Sequence, residues 1–489
     1  MQRLMRRGRR VAVGGVLTGA MLAAMAVSGP AGASTTPAKN HILVGSGSST
    51  TYDMMQALDT LFNDSLGCYM TQPSTLSQTL DFRCDLPRDN GGLQVGEGYT
   101  ENPINDVSVQ EPALGSSAGI AQIEYGGKGN DGNPGIGGKP LPAAAVNYAR
   151  SSRQFKTTDY PGLNFVAYAT DGVSWLSFPK VKGKATPSSR VKNLTTTQLT
   201  DIWSGKITNW DQVGGTKGNI CVYVANLSSG TVSTWATALG FTSTTTLAAY
   251  VDGLTKTPAG CKSPKGETYA ESHASLPENE AQDVVKNGDE ANSIFFFSYG
   301  KYQVLCVKTR TAQCDNDLGP STTPYLGKVN GVAPTVASIL CTGSCKTAFP
   351  IPRDLFNVYS NGSFSKNKQF GFPAATPATI NYVSEIGFLC KPQTDTKKAH
   401  VNDPSTGIWY RREIANLISA QGFIPFPLQT KGQDINAVDR PASAVLKAAS
   451  DTTYSPNDPI VAKGTRGNEK ISNPAGYCQV WTTDGNTAP

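Results

Sequence analysis

The sequence predicts an α/β protein. Short apolar runs alternate with stretches of helical spacing, and one strand, Gly/Ser loop and helix order occurs three times. His41 to Val44 is a short apolar strand running into Gly45-Ser46-Gly47-Ser48-Ser49-Thr50. Tyr52 to Phe62 then carries apolar residues at Met55, Leu58 and Phe62, the spacing of one helix face. The order returns as Val107 to Leu114, Gly115-Ser116-Ser117-Ala118-Gly119 and a short helix from Ile120. Its third form is Ile220 to Ala225, Ser228-Ser229-Gly230-Thr231 and a helix over Val232 to Leu239. Strands alternating with helices in this way imply a largely parallel sheet.

Other elements fall between these units. Gly126 to Pro142 is rich in Gly and Pro and reads as an exposed loop. Asn147 to Phe155 and Phe165 to Trp175 read as a strand, a loop and a second strand. Thr195 to Trp203 is a short helix opened by Thr, with Leu199, Ile202 and Trp203 on its apolar face and Gly205 as its stop. Insertions rich in Gly and Thr, some bearing Cys, fill roughly 240–275 and 303–345. Arg411 to Ala420 is an amphipathic helix closed by Gly422. No internal repeat of 20–50 residues is present.

The first 33 residues read as a signal peptide. Arg3, Arg6, Arg7, Arg9 and Arg10 precede an apolar run from Val11 to Val27 and the small-residue cleavage pattern Ala31-Gly32-Ala33. The run is interrupted by Gly14, Gly15 and Gly19 and is short for a membrane span, so none is expected after processing. The net charge of +6 owes five Arg and no acids to this segment, which leaves a nearly neutral mature chain and no argument for a nucleic-acid partner. The remainder is long enough for two or three domains. All ten cysteines follow the cleavage point, and an even number in an exported chain predicts disulfides. Pairing of neighbours is expected: Cys68–Cys84, Cys221–Cys261, Cys306–Cys314, Cys341–Cys345 and Cys390–Cys478. The close pair Cys341-x3-Cys345 has no second pair and no nearby His, and the chain holds only three His, so no metal is expected.

Each Gly/Ser loop opens a helix. A helix N-terminus presents unpaired N–H donors and the positive end of its dipole, small residues let the backbone approach a ligand, and hydroxyls add donors. Three such loops could serve one tetrahedral oxyanion, although Ser and Thr are also ordinary helix caps. Gly115-Ser116-Ser117-Ala118-Gly119 also fits a G-x-S-x-G nucleophile elbow, which would make Ser117 an esterase nucleophile with His273 or His400 as its base. A wall-associated binding protein is a further alternative. Against it, no repeats, sorting signal or evenly spaced aromatic strip occur, and Trp175, Trp203, Trp210 and Trp235 read as packing residues.

Several stretches decide between these readings. Gly45 to Thr50, Ala113 to Ile123 and Ser229-Gly230-Thr231 resemble, in order, the three phosphate-cradling loops of ABC-transporter phosphate-binding proteins. Asp201-Ile-Trp-Ser-Gly-Lys-Ile-Thr-Asn-Trp210, Asn279-Glu280 with Ser293 to Tyr299, Phe349-Pro-Ile-Pro-Arg-Asp-Leu-Phe356 and Gly422 to Pro427 resemble further segments of that family. The similarity runs patchily over about 41–430.

The resemblance implies a two-lobed type II periplasmic-binding-protein fold, α/β with mixed sheets and lobes linked by a hinge. It places 41–170 and 346–485 in lobe one and 171–345 in lobe two. It further implies a monomeric, secreted solute-binding protein without cofactor or catalysis, which takes phosphate or a similar oxyanion and delivers it to an ABC permease. Ligand contacts are expected from Ser49, Thr50, Ser116, Ser117, Ser229, Gly230 and Thr231. The match breaks at two family ligand positions. Ser152 stands where the family has an Asp that accepts a proton from phosphate, and Ala225 where it has an Arg. Ser152 is expected to add a contact, and Arg150 or Arg153 to supply the missing positive charge.

Overall fold

In a computed structural model the described residues are 42–64, 68–70, 82–84, 86–87, 93–94, 107–113, 115–124, 146–156, 159, 162–307, 318–341, 347–360, 375, 377–384, 388–390, 408–425, 429–430, 433–434 and 478–482. The expected signal peptide, the 126–142 loop and His400 lie outside them. Strand β1 (Ile42–Gly47) leads into helix α1 (Tyr52–Asp64), and β2 (Val107–Ala113) into α2 (Ser116–Glu124). Strands β3 (Tyr148–Ser151) and β4 (Leu163–Val181) follow, then α3 (Thr196–Trp203), β5 (Cys221–Val222) and α4 (Gly230–Ala238). The rest comprises α5 (Ala281–Asn287), β6 (Ser293–Ser298), β7 (Thr323–Leu326), β8 (Pro352–Ser360), α6 (Ile408–Ala420), β9 (Ile424–Pro425) and β10 (Gln479–Thr482).

The main sheet runs β5-β6-β4-β8-β3-β1-β2, with β7, β9 and β10 also paired to β4. The strands of the strand–loop–helix units are parallel, β1 to β2 and to β3, and β5 to β6. The expectation of a largely parallel sheet fails in the middle. β4 runs antiparallel to β6, β7 and β8, and β8 runs antiparallel to β3. The fold is therefore α/β with a large mixed sheet. Alternation of strands and helices reports the parallel units but is silent about two long strands that pair with each other. From Phe165 to Pro179 every residue of β4 is buried, as befits a central strand covered on both faces.

The core changes along β4. Residues 163–172 of β4 pair with β8, whereas Val173 to Lys180 pair with β6 and β7. Apolar side chains from Val173 to Ile351, with Ile424, form one core around Trp175, Trp203, Trp210 and Trp235. Before Val173 and after Ile351, the sheet has a separate core on each face. Tyr148, Val166, Tyr168, Leu355 and Tyr359 pack with Met54, Met55, Leu58 and Phe62 of α1 and with Ile414 and Ile418 of α6. The alternate residues Ala149, Phe165, Ala167, Phe356 and Val358 pack with Ile120 and Ile123 of α2. Period-two alternation thus sends α1 and α2 to opposite faces, while both begin at the same edge of the sheet.

Local chemistry sets the helix ends. Thr195 and Gln198 form a capping box at the start of α3, and Gly205, at φ +75°, follows its end. Gly422 is likewise left-handed, at φ +83°, after α6. Disulfides join Cys221 to Cys261 and Cys390 to Cys478, two of the expected pairs. Short antiparallel strands set Cys68 opposite Cys84 in register. The other expected pairings fall outside what is described.

Candidate functional site

Four loops meet where the strands end. Ser48 donates from its hydroxyl to Ser152 Oγ at 2.9 Å, and the Ser152 amide donates to Ser116 Oγ at 2.9 Å. The Ser117 amide donates to the carbonyl of Ser228 at 3.0 Å, which ties the start of α2 to the loop before α4. Thr50 Oγ1 and Thr231 Oγ1 lie 3.2 Å apart across a sequence gap of 181 residues. Ser116, Ser152, Thr50 and Thr231 are all fully buried. The packing leaves no room for side-chain growth at Gly230, where a Cβ would stand 2.3 Å from Ser152 Oγ and 2.4 Å from Ser116 Oγ. Glycine here is a requirement of close approach rather than of backbone conformation.

The centre of this cluster is a residue that the sequence reading did not single out. Glu278 Oε1 accepts from Thr50 Oγ1 at 2.5 Å, from the Thr231 amide at 3.1 Å and from Ser152 Oγ at 3.4 Å. The Thr231 hydroxyl also donates to it. Each threonine hydroxyl is itself fed by a nitrogen donor. Asn279 Nδ2 donates to Thr50 Oγ1 at 2.9 Å, and Arg353 Nη1 to Thr231 Oγ1 at 2.7 Å. Charge-assisted donation to a carboxylate is stronger than neutral pairing, and two feeding donors polarise the chain further. Asn279 sits at φ +62°, in the left-handed region that Asn tolerates, and its Oδ1 accepts from the Ser298 amide. That bond fixes the turn that delivers Glu278.

Arg353, on β8, supplies the positive charge beside this cluster. Its guanidinium donates to Asp171 Oδ2 through Nε at 3.0 Å and Nη2 at 2.7 Å, and through Nη1 to the carbonyl of Ser152 at 3.2 Å as well as to Thr231. Asp171, on β4, also accepts from Ser298 Oγ at 2.7 Å and from the Gly300 amide at 2.9 Å. Arg353 and Asp171 are therefore a buried ion pair with further partners on both sides.

The two arginines expected at the site face elsewhere. Arg150 donates to the carbonyls of Gly45 at 2.9 Å, Ser48 at 3.2 Å and Gly47 at 3.3 Å, and to Gln110 Oε1. It fastens the first loop from behind, and its position 5.2 Å over the Tyr52 ring adds a cation–π contact. Burial pushes its pKa down to about 10, which leaves it charged at neutral pH. Arg153 pairs with Asp159 through Nη1 at 2.9 Å and Nη2 at 2.8 Å, and its Nε donates to Ser117 Oγ at 3.0 Å. Ser229 caps α4, its Oγ accepting from the amides of Thr231 and Val232 at 3.1 and 3.2 Å. Ser49 is half-buried in the turn before α1, and its carbonyl accepts from the Tyr52 amide.

Of the expected ligand residues, the structure brings Thr50, Ser116, Ser152, Gly230 and Thr231 into one cluster, with Ser229 as its cap. Ser117, Arg150 and Arg153 lie at its back and side. Ser48, Glu278, Asn279 and Arg353 join it unannounced. Ser48, Asn279 and Arg353 had a signal, since they lie in the Gly45 to Thr50, Asn279-Glu280 and Phe349 to Phe356 stretches on which the family resemblance drew; Glu278 had none. Ser117 Oγ meets Arg153, whereas His273 is buried against Asp289 at 2.8 Å and stacks on Tyr269. Among the described residues one group, Cys221, Cys261 and Asp289, has metal-ligand atoms close together, but both its sulfurs are spent in a disulfide.

Residues 84–315 match the model of the PBP superfamily domain, which bears out the resemblance read from the sequence at the level of that superfamily. Solved structures similar to this chain include an ABC-type phosphate transport receptor from Vibrio cholerae, 15% identical over 78% of this chain and 99% of that one, with a TM-score of 0.38. A phosphate-binding protein from Stenotrophomonas maltophilia is 16% identical over 79% of this chain and 91% of that one, with a TM-score of 0.36. No curated protein sequence matches the chain. No helix among the described residues is long and apolar enough to cross a membrane.

Proposed function

We propose that the chain is a secreted solute-binding protein that captures phosphate or a related oxyanion in the loop cluster and presents it to an ABC permease. The observation that carries this reading is the convergence of Thr50, Ser152 and Thr231 on a single carboxylate oxygen, with Ser116 bracing Ser152. A site that gathers hydroxyl and amide donors from separate loops around one negatively charged oxygen is built for anions. The superfamily match supports solute binding, and the ordered loop resemblance supports an oxyanion as the solute.

In this reading the protein acts as a monomer of two lobes, 41–170 with 346–485 and 171–345, hinged on β4 and β8. The change of core near Val173 and Ile351 supports that division. The ligand is held by Thr50, Ser116, Ser152, Gly230 and Thr231, with Ser49, Ser117 and Ser229 in the same loops. Arg353 supplies the positive charge, while Arg150 and Arg153 brace the loops. In this reading no chemistry follows binding; the esterase alternative is disfavoured because Ser117 Oγ is held by Arg153 and not by a histidine.

The test is calorimetric titration of the purified mature protein with phosphate beside sulfate. Saturable phosphate binding at one site, with sulfate weaker, is the expected result. Binding of neither anion would overturn the oxyanion reading.

A further inference from the structure

The anion held in the cluster belongs to the protein itself. Glu278 is 4% exposed, and one of its carboxylate oxygens receives four donors from Thr50, Ser152 and Thr231. Its other oxygen, Oε2, is buried without a hydrogen-bond partner. A buried carboxylate with half its acceptor capacity unmet is costly, and burial of a charge is tolerated only where pairing compensates. The compensation comes entirely from the groups proposed to hold ligand. Arg353 reaches Glu278 indirectly, through Thr231 and Ser152, and is already paired with Asp171. Glu278, Asp171 and Arg353 together carry one net negative charge, so an oxyanion entering beside an undisplaced Glu278 would meet repulsion in a site of low dielectric.

We infer that Glu278 is a tethered competitor, a built-in carboxylate that occupies the oxyanion nest and must be displaced before an external oxyanion can bind. This rests on the oxyanion reading of the site and adds what sets its affinity. Displacement needs only a side-chain swing, because Glu278 lies in the turn between the Tyr269–His273 helix and α5, whose backbone is held independently of the carboxylate by Leu276 pairing with Val224 and Asn226 and by Asn279 bonding to Thr50 and Ser298. A tethered group competes at an effective concentration in the millimolar range, and ligand affinity falls by the fraction of time the nest is free. Contacts that close the cluster are thereby made without ligand. One is the Thr50–Thr231 contact, and another is the ion pair at 2.5 Å between Asp53 of α1 and Lys301, just past β6.

The experiment is phosphate titration of wild type, Glu278→Ala, Glu278→Gln and Glu278→Asp. Removal of the carboxylate in Glu278→Ala is expected to tighten phosphate binding by about tenfold or more. Glu278→Asp keeps the charge but shortens the reach by one methylene, so it should tighten binding severalfold as well. Tightening in the neutral variants alone would mean that Glu278 acts by its field and not by occupancy, which overturns the inference. Wild-type binding that the Ala variant leaves unchanged or weakens also overturns it, while the oxyanion reading survives. Absence of phosphate binding in all four proteins overturns both. A melting measurement guards against misfolding: Glu278→Ala should lose stability in anion-free buffer and regain it with phosphate, because the emptied donors then find a partner.

Discussion

Arg150 and Arg353 lie on hydrogen-bonded neighbouring strands, both buried, yet they serve opposite sides of the same loops. Arg150 turns back onto the carbonyls of Gly45, Gly47 and Ser48 and holds the first loop in shape. Arg353 points forward, with one arm on Thr231 and the rest on Asp171. The difference teaches that the identity and burial of an arginine do not assign it to a ligand. What decides is the set of acceptors its strand register puts in reach: carbonyls behind the loop for one, hydroxyls in front of it for the other.

Substitution of each arginine can break that contrast. Arg353→Met leaves Asp171 buried without its cation and should cost about 3–5 kcal/mol of stability, measured by denaturant unfolding. Where the variant still folds, phosphate binding should weaken roughly ten- to a hundredfold, the loss expected when a charged donor is removed. Arg150→Met strands loop carbonyls and should cost about 1–3 kcal/mol, with a smaller change in phosphate affinity than Arg353→Met gives. A larger affinity loss at Arg150 than at Arg353 would reverse the assignment of the two roles.

The smallest effect sharpens the picture behind the loop. Asp59 accepts from Gln110 and Tyr382 at 2.7 Å each, and burial holds its pKa above the usual carboxylate value of 3.8. The folded state therefore binds this proton more tightly than the unfolded chain. The Asp59 contribution to stability should rise as pH falls through its folded pKa toward 3.8, and level off below that. Asp59→Asn should abolish this gain, seen as a flatter dependence of the unfolding midpoint on pH relative to wild type.

Much of the frame was legible in the sequence. The three strand–loop–helix units follow from apolar spacing and from Ser and Thr at helix starts, and α3 ends near Gly205 as its sequence requires. Thr50, Ser116 and Thr231 were legible as neighbours of helix starts because each lies in a Gly/Ser loop, and Ser152 came into view only through the family resemblance. Glu278 carries no such signature, and Arg353 lies in a resembling stretch that says nothing of its partners. Each owes its place to a partner 47 to 228 residues away, and only the packed chain sets that distance. The glycines misled in one respect. A Cβ at Gly45 would stand 2.5 Å from Gln110 Oε1 and 2.6 Å from the Tyr148 ring, and one at Gly47, itself left-handed at φ +115°, 2.4 Å from the Arg150 carbonyl, so both are small because β2 and β3 pack against them and because of the turn at Gly47. The antiparallel middle of the sheet was hidden for a related reason, since two long strands buried along nearly all their length carry no alternation to read.

The central claim is that loops from three helix starts form one oxyanion nest. Equilibrium dialysis with radiolabelled phosphate tests it most directly, on wild type and on a Ser116→Ala, Thr231→Ala double variant. The account predicts a single saturable site in the wild type and a loss of affinity of about tenfold or more in the variant, one neutral hydrogen bond accounting for about 1 kcal/mol and two acting together. Equal phosphate binding by the two proteins, or no saturable binding by the wild type, would contradict it.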